Sequence, residues 1–374
     1  MKKILKVFIA LIIFLQFFAM ISFGINIDSE ADLQAGINNE LSEIIDKDTR
    51  DILESFGIED FEFNEIYNVS FSEITDFFAE TLKDKVSCVV DDFFNLLCTV
   101  LIIGLITVLF KGYSDETFTD ILSAVIIAVT AVGVIEGSLS AVVSALNLSG
   151  KFMLGFAPIY TLIISLSGNA ASALTYNTVA LFIAEVISKI ITSGAVDLIG
   201  VYFCLGISFS LNDTMNIGRF SLVVNRIAST TLGLIASIFT GYIGLKNILS
   251  ISVDRVSVRS IRFLISSLIP VVGSSISDAY SSLLGSINLI KGSIAIVGIL
   301  VVIILNVPII IENLVYYISF NLLSYVADIL LAKKVGDVFR VFSTGMRILL
   351  LLCIFEVFVL IISVGIALSV KGGG

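Results

Sequence analysis

Beyond residue 92 the chain alternates long apolar runs with short polar interruptions. The runs fall at about 93–110, 121–146, 152–166, 171–192, 195–211, 227–245, 263–276, 292–311, 313–332 and 341–369, and each reads as a membrane segment. Two of them, 152–166 and 263–276, are shorter than the ~20 apolar residues a spanning helix needs, and each contains a proline, Pro158 or Pro270. Both begin with Phe after a basic residue, Lys151 or Arg262, and both end in small polar residues, so they read as copies of one broken-helix unit.

The second copy runs into LIPVVGSSISDAYSSLLGS, residues 268–286, the most polar stretch among the apolar runs. A broken membrane helix frees N–H and C=O groups that only a cavity or protein packing can satisfy, and paired breaks mark substrate paths in transporters. Pro158, Pro270, Gly273, Ser274, Ser277, Asp278 and Ser281 are therefore candidate conduit or broken-helix residues. The competing reading is a proline-kinked helix packed through small residues, with Asp278 as a cap at the membrane edge.

Charges inside the apolar runs are few. Glu185 and Lys189 lie four residues apart, so they share a helix face and can neutralise one another, whereas Glu136 and Glu356 have no such neighbour. The segments 246–262 and 332–340 are rich in Lys and Arg and read as cytoplasmic loops. Both fit one side of the membrane if 263–290 forms a re-entrant hairpin, with 292–311 and 313–332 crossing out and back.

Upstream of residue 93 the pattern changes. Lys2, Lys3 and Lys6 precede an apolar run from Val7 to Phe23, which reads as a signal peptide over 1–24 or, if uncleaved, as a signal anchor. Residues 25–92 hold nineteen Asp or Glu against four Lys or Arg; the rest of the chain holds thirteen against eighteen. A segment poor in basic residues behind an export signal belongs outside the cytoplasm. Ile44, Ile45, Ile52, Leu53 and Phe56 recur at near-helical spacing, and Ser70 with Glu73 makes an S-x-x-E start before Ile74 and Phe77. Two amphipathic helices are expected, whose acids either form a solvated face or, at Glu59, Asp60 and Glu62, dock a basic partner.

Composition narrows the function. The chain is 57% hydrophobic and 14% charged, and it has neither histidine nor tryptophan, which removes histidine-based triads and HExxH zinc sites. Cys88, Cys98, Cys204 and Cys353 show no C-x-x-C spacing. No catalytic, cofactor or metal site is expected, and no nucleic-acid partner. The expected architecture is all-α: a polytopic helical membrane protein with discontinuous or re-entrant helices over 93–370, a small helical extracytoplasmic segment at 25–92, and a tail at 371–374.

The order of these parts, together with SFSEITDFF and the run RFLISSLIPVVGSSISDAYSSLLGSINLIKGSIAIVGILVVI, resembles the stage III sporulation protein AE family of endospore-forming bacteria. Ile269, Pro270, Val271, Gly273, Asp278 and Ala279 carry the strongest part of the likeness, followed by Ile290, Lys291, Ile296 and Gly298. The resemblance implies a multi-pass protein of the mother-cell (outer forespore) membrane, belonging to the secretion-like channel that links mother cell and forespore and sustains late forespore gene expression. It implies as partners the other membrane proteins of the stage III sporulation A operon with their secretion-type ATPase, a forespore channel protein and a YidC-type insertase. The residues alone leave two other functions open: a secondary transporter coupling ions through carboxylates such as Glu136 and Asp278, and a non-conducting assembly scaffold.

Overall fold

Backbone amides in a bilayer find no water to bond, so an apolar chain of this kind satisfies them along helices. In the computed structural model, which describes residues 30–59, 61, 63–69, 71–109, 116–186, 196–212, 217–268 and 273–368, every regular element is an α-helix. In chain order these are α1 Glu30–Ile44, α2 Lys47–Ser55, α3 Phe63–Asn68, α4 Phe71–Leu109, α5 Glu116–Leu166, α6 Ala170–Val186, α7 Val196–Ser210, α8 Ile217–Leu268, α9 Gly273–Ile329 and α10 Lys333–Leu368. Five of them, α4, α5, α8, α9 and α10, are long and apolar enough to cross a membrane; α6 and α7 are shorter apolar helices.

The long helices merge runs that the sequence pattern separates. The runs 121–146 and 152–166 both lie in α5, a helix of 51 residues, and 292–311 and all but the last three residues of 313–332 lie in α9, of 57 residues. At ~1.5 Å per residue α9 is ~85 Å long, against a hydrocarbon core of ~30 Å. The expected out-and-back crossing after residue 291 is thus replaced by one helix, and the expected loop 246–262 is helical within α8. The polar residues along α9 are accommodated within the helix. Asn306, Asn313 and Asn321 each bond back to the carbonyl four residues earlier, at 2.8 to 2.9 Å, and Glu312 accepts from Lys85 of α4 at 2.6 Å.

α9 and α10 form the most extensive helix pair. They are joined by a three-residue turn in which the N–H of Leu331 bonds to the carbonyl of Asp328 and that of Ala332 to Ala327. This is the Schellman arrangement, with Leu331 at φ 61° where glycine is usual. Beyond the turn the hairpin is antiparallel, fixed by Phe320 and Phe342, whose ring centroids lie 5.6 Å apart, and by a 2.5 Å bond from Asn321 Nδ2 to Ser343 Oγ. Buried positions on α9 then recur at Val302, Asn306, Ile309, Asn313, Tyr316, Phe320, Leu323 and Ala327, and on α10 at Val335, Phe339, Phe342, Met346, Leu349, Cys353, Glu356 and Leu360. The alternation of threes and fours is a heptad seam. Extended outward from the Phe320–Phe342 contact, a constant antiparallel register would set Tyr316 opposite Met346, Asn313 opposite Leu349, Ile309 opposite Cys353 and Asn306 opposite Glu356.

The N-terminal helices are docked on this bundle. The first apolar stripe is divided at Asp46, which caps α2 by accepting from Thr49 N at 3.2 Å, so Ile37, Leu41 and Ile45 are buried on one side of the division and Leu53 and Phe56 on the other. Ile44 fills the space beside Gly155 of α5, lying 2.5 Å from where a Cβ on that glycine would sit. The second expected helix starts directly after Ser70 and continues through residue 92 to Leu109 without interruption.

Candidate functional site

Among the described residues, one helix break between apolar segments lies at Ser167–Asn169. α5 does not break at Pro158: it runs through that residue, which is exposed, and ends at Leu166. A proline removes only the bond to the carbonyl four residues earlier, a local loss that a long packed helix tolerates. Termination follows from Gly168, at φ 83°, whose N–H bonds to Ser165 O at 3.0 Å while the N–H of Asn169 bonds to Ile164 O at 3.3 Å. Ser167 Oγ donates to Ile164 O at 2.7 Å, and Asn169 Nδ2 donates to Ser167 Oγ at 2.9 Å.

With Asn169 turned back toward α5, the opening amides of α6 need another acceptor. It comes from α8. The buried carboxylate of Asp254 accepts from Ala171 N at 2.8 Å and from Ser172 N at 2.9 Å, a negative charge placed where the helix dipole favours one. Val258, one turn on, packs against Gly168, so α8 clasps the break at two points. Around it run Phe152, Phe156 and Tyr160 of α5, stacked in succession, and Tyr176 of α6, edge-on to Tyr160 at 5.1 Å. The hydroxyls of Tyr160, Ser172 and Tyr176 and the carbonyl oxygen of Asn177 are buried with no hydrogen-bond partner among the described residues. The arrangement is a cluster of buried hydroxyls and one amide oxygen beside the Asp254 carboxylate, and among the described residues it shows no nucleophile hydrogen-bonded to a base.

Other polar contacts tie the long helices together. Tyr316 donates to Asp92 at 2.7 Å, one layer from the Lys85–Glu312 pair, so α4 and α9 are joined twice. Lys334 donates to the carbonyl of Leu211 at 2.8 Å, a cation at the C-terminal end of α7. Arg340 is held between Asp328 and Asp337 beside the α9–α10 turn. Tyr202 of α7 bonds to Ser221 of α8 at 3.1 Å and to Val341 O of α10 at 3.3 Å.

The expected site residues are scattered. Glu136 is exposed on α5, and Glu356 is fully buried in the α9–α10 seam. Gly273 opens α9, and Ser274, Ser277 and Asp278 lie in its first two turns; Ser281 is half-buried and engaged. Pro270, Lys189, Asp60 and Glu62 lie outside the described residues, as do the side chains of Glu185 and Asp278, while Glu59 is exposed just after α2. Sequence reasoning missed Asp254, the one acid in a basic stretch, and the SLSGN run, residues 165–169, whose glycine follows an apolar helix in the position of a C-terminal cap. Among the described residues no group of three or more His, Cys, Asp or Glu side chains is placed to hold a metal.

Five apolar helices with their polar groups bonded helix to helix define a polytopic helical membrane protein. The chain belongs to the stage III sporulation protein AE family, whose family model matches residues 58–371, and it is therefore a sporulation protein. It is similar to Stage III sporulation protein AE of Bacillus subtilis (strain 168), with 24% identity over 159 residues. That alignment covers 42% of this chain and 40% of the relative, less than half of either. No solved structure matches the chain.

Proposed function

We propose that the chain is an integral membrane subunit of a secretion-like channel complex joining mother cell and forespore, set in the mother-cell (outer forespore) membrane and needed for late forespore gene expression. The observation that carries the reading is the extent of the family match, which takes in all five apolar spans from Ser72 to Gly365. The other membrane proteins of the stage III sporulation A operon, their secretion-type ATPase, a forespore channel protein and a YidC-type insertase are its partners in this reading. Residues 25–92 lie outside the cytoplasm in the same scheme, and the acids Glu59, Asp60 and Glu62 meet a basic partner there.

Affinity purification of the tagged full chain from sporulating cells tests this. The operon's membrane proteins and the ATPase should co-purify, and reversing Glu59, Asp60 and Glu62 to lysine should weaken their recovery in a salt-dependent manner without lowering the amount of this chain in the membrane. Recovery of the chain alone, with late forespore transcription intact in its absence, would remove the proposal.

A further inference from the structure

The α9–α10 seam carries polar side chains at Tyr316, Asn313 and Asn306 of α9, and of its layers the one of Asn306 and Glu356 has a polar side chain on both helices. Both side chains are fully buried, and both oxygens of the Glu356 carboxyl lack a hydrogen-bond partner among the described residues. Asn306 spends its amide hydrogens elsewhere: Nδ2 donates to Ser149 Oγ of α5 at 2.8 Å and to Val302 O at 2.9 Å. Its Oδ1 is left as a buried acceptor without a donor. Pro308, within α9, has no N–H to give to the carbonyl of Ile304, so a backbone oxygen at the same level has lost its helical donor.

The orphaned groups of this layer are thus all acceptors, and the Ser149 hydroxyl, which takes the Asn306 amide, has a single O–H of its own to give. An ionised carboxylate cannot fill the deficit, because it only accepts; a neutral carboxylic acid supplies one O–H. A calcium-like cation takes six or more oxygens, beyond what this layer presents. Among the described residues no charged group bonds to Glu356, and the titratable group beside it is Cys353, one turn earlier on α10. We propose that Glu356 is a proton-binding carboxyl in the membrane core, which takes up a proton to become the acid that donates to Asn306 Oδ1 and releases it when the seam parts at this layer. This is independent of which proteins assemble around the chain.

Dicyclohexylcarbodiimide, a lipid-soluble reagent selective for protonated carboxyls, tests the proposal on the full chain in native membranes. The acid's proton passes to a carbodiimide nitrogen and its oxygen bonds to the central carbon; rearrangement leaves a stable N-acylurea that peptide mass spectrometry locates. The expected result is an adduct on Glu356, severalfold weaker at alkaline than at mildly acidic pH and unchanged by sodium or potassium. Glu356→Gln, which keeps the volume and a donor for Asn306, should accumulate normally and lose the adduct. An unmodified Glu356 in membranes whose detergent-unfolded chain does react would overturn the proposal. So would labelling that ignores pH, and protection by sodium or potassium would reassign the site to a metal cation.

Discussion

Asp254 accepts the backbone amide of Ala171 at 2.8 Å across 83 residues of chain. Its second oxygen takes the amide of Ser172. The broken helix therefore depends on a carboxylate that local sequence does not supply, and removing that carboxylate leaves two N–H groups unsatisfied, the one at Ser172 buried and the one at Ala171 half-buried.

Asp254→Ala should destabilise the bundle by about 2–4 kcal/mol, since each buried donor left unpaired costs about 1–3 kcal/mol. Asp254→Asn keeps an acceptor and should cost less than half as much. Thermal unfolding of the detergent-solubilised protein measures both, and an alanine variant as stable as the parent would show the contact to be dispensable.

The two positive-φ turns of the membrane region predict effects of opposite sign. Gly168 sits at φ 83° with Val258 Cγ2 3.0 Å from any added Cβ, so Gly168→Ala should lower stability by about 1–2 kcal/mol. Leu331 is exposed at φ 61°, and Leu331→Gly should raise stability by up to about 1 kcal/mol. Unfolding midpoints moving in the same direction for both would contradict the turn assignments.

Close helix approach between α7 and α10 rests on two glycines. Gly345 leaves room for the ring of Phe203, and Gly206 leaves room for Val341, each far nearer than a Cβ permits. Gly345→Ala should separate the helices and reduce the yield of folded protein, and adding Phe203→Leu should restore part of it, because the smaller side chain vacates the space. No rescue in the double variant would place the strain elsewhere.

The seam register is open to a direct test. In a background without native cysteines, Asn313→Cys paired with Leu349→Cys should cross-link readily, whereas Asn313→Cys paired with Leu360→Cys, three layers away, should not. Equal cross-linking of the two pairs would mean that the helices slide past one another.

Lys85 and Glu312 make a partly exposed pair, with side-chain exposures of 35% and 15%. Lys85→Glu should lower stability by about 1 kcal/mol or less, and the double exchange with Glu312→Lys should recover most of the loss. A double-mutant cycle with no coupling would reduce the contact to coincidence.

The helical membrane class was legible from apolar runs too long and too frequent for a soluble protein. The number of helices was not, because Pro158, Asn306, Glu312 and Asn313 look like interruptions in one dimension. Asn306 and Asn313 return their side chains to the carbonyl one turn back, Glu312 is met by Lys85 from another helix, and Pro158 costs a long packed helix only a local bond. The break at Ser167–Asn169 had a local signal in Gly168, yet its clasp, Asp254, was hidden in a stretch that reads as a basic loop. Glu356 was visible as an unpaired carboxylate. Its layer partner Asn306 appears only once the turn at Leu330–Ala332 fixes how α9 and α10 lie side by side.

Because α4 is one helix from Phe71 to Leu109, the acidic segment and the bilayer are joined by a stiff rod ~58 Å long rather than by a tether. A rod does not absorb a push. Force applied near Phe71 is delivered through Lys85 and Asp92 to Glu312 and Tyr316 in the middle of α9, so a load on the N-terminal segment is borne by the membrane bundle itself.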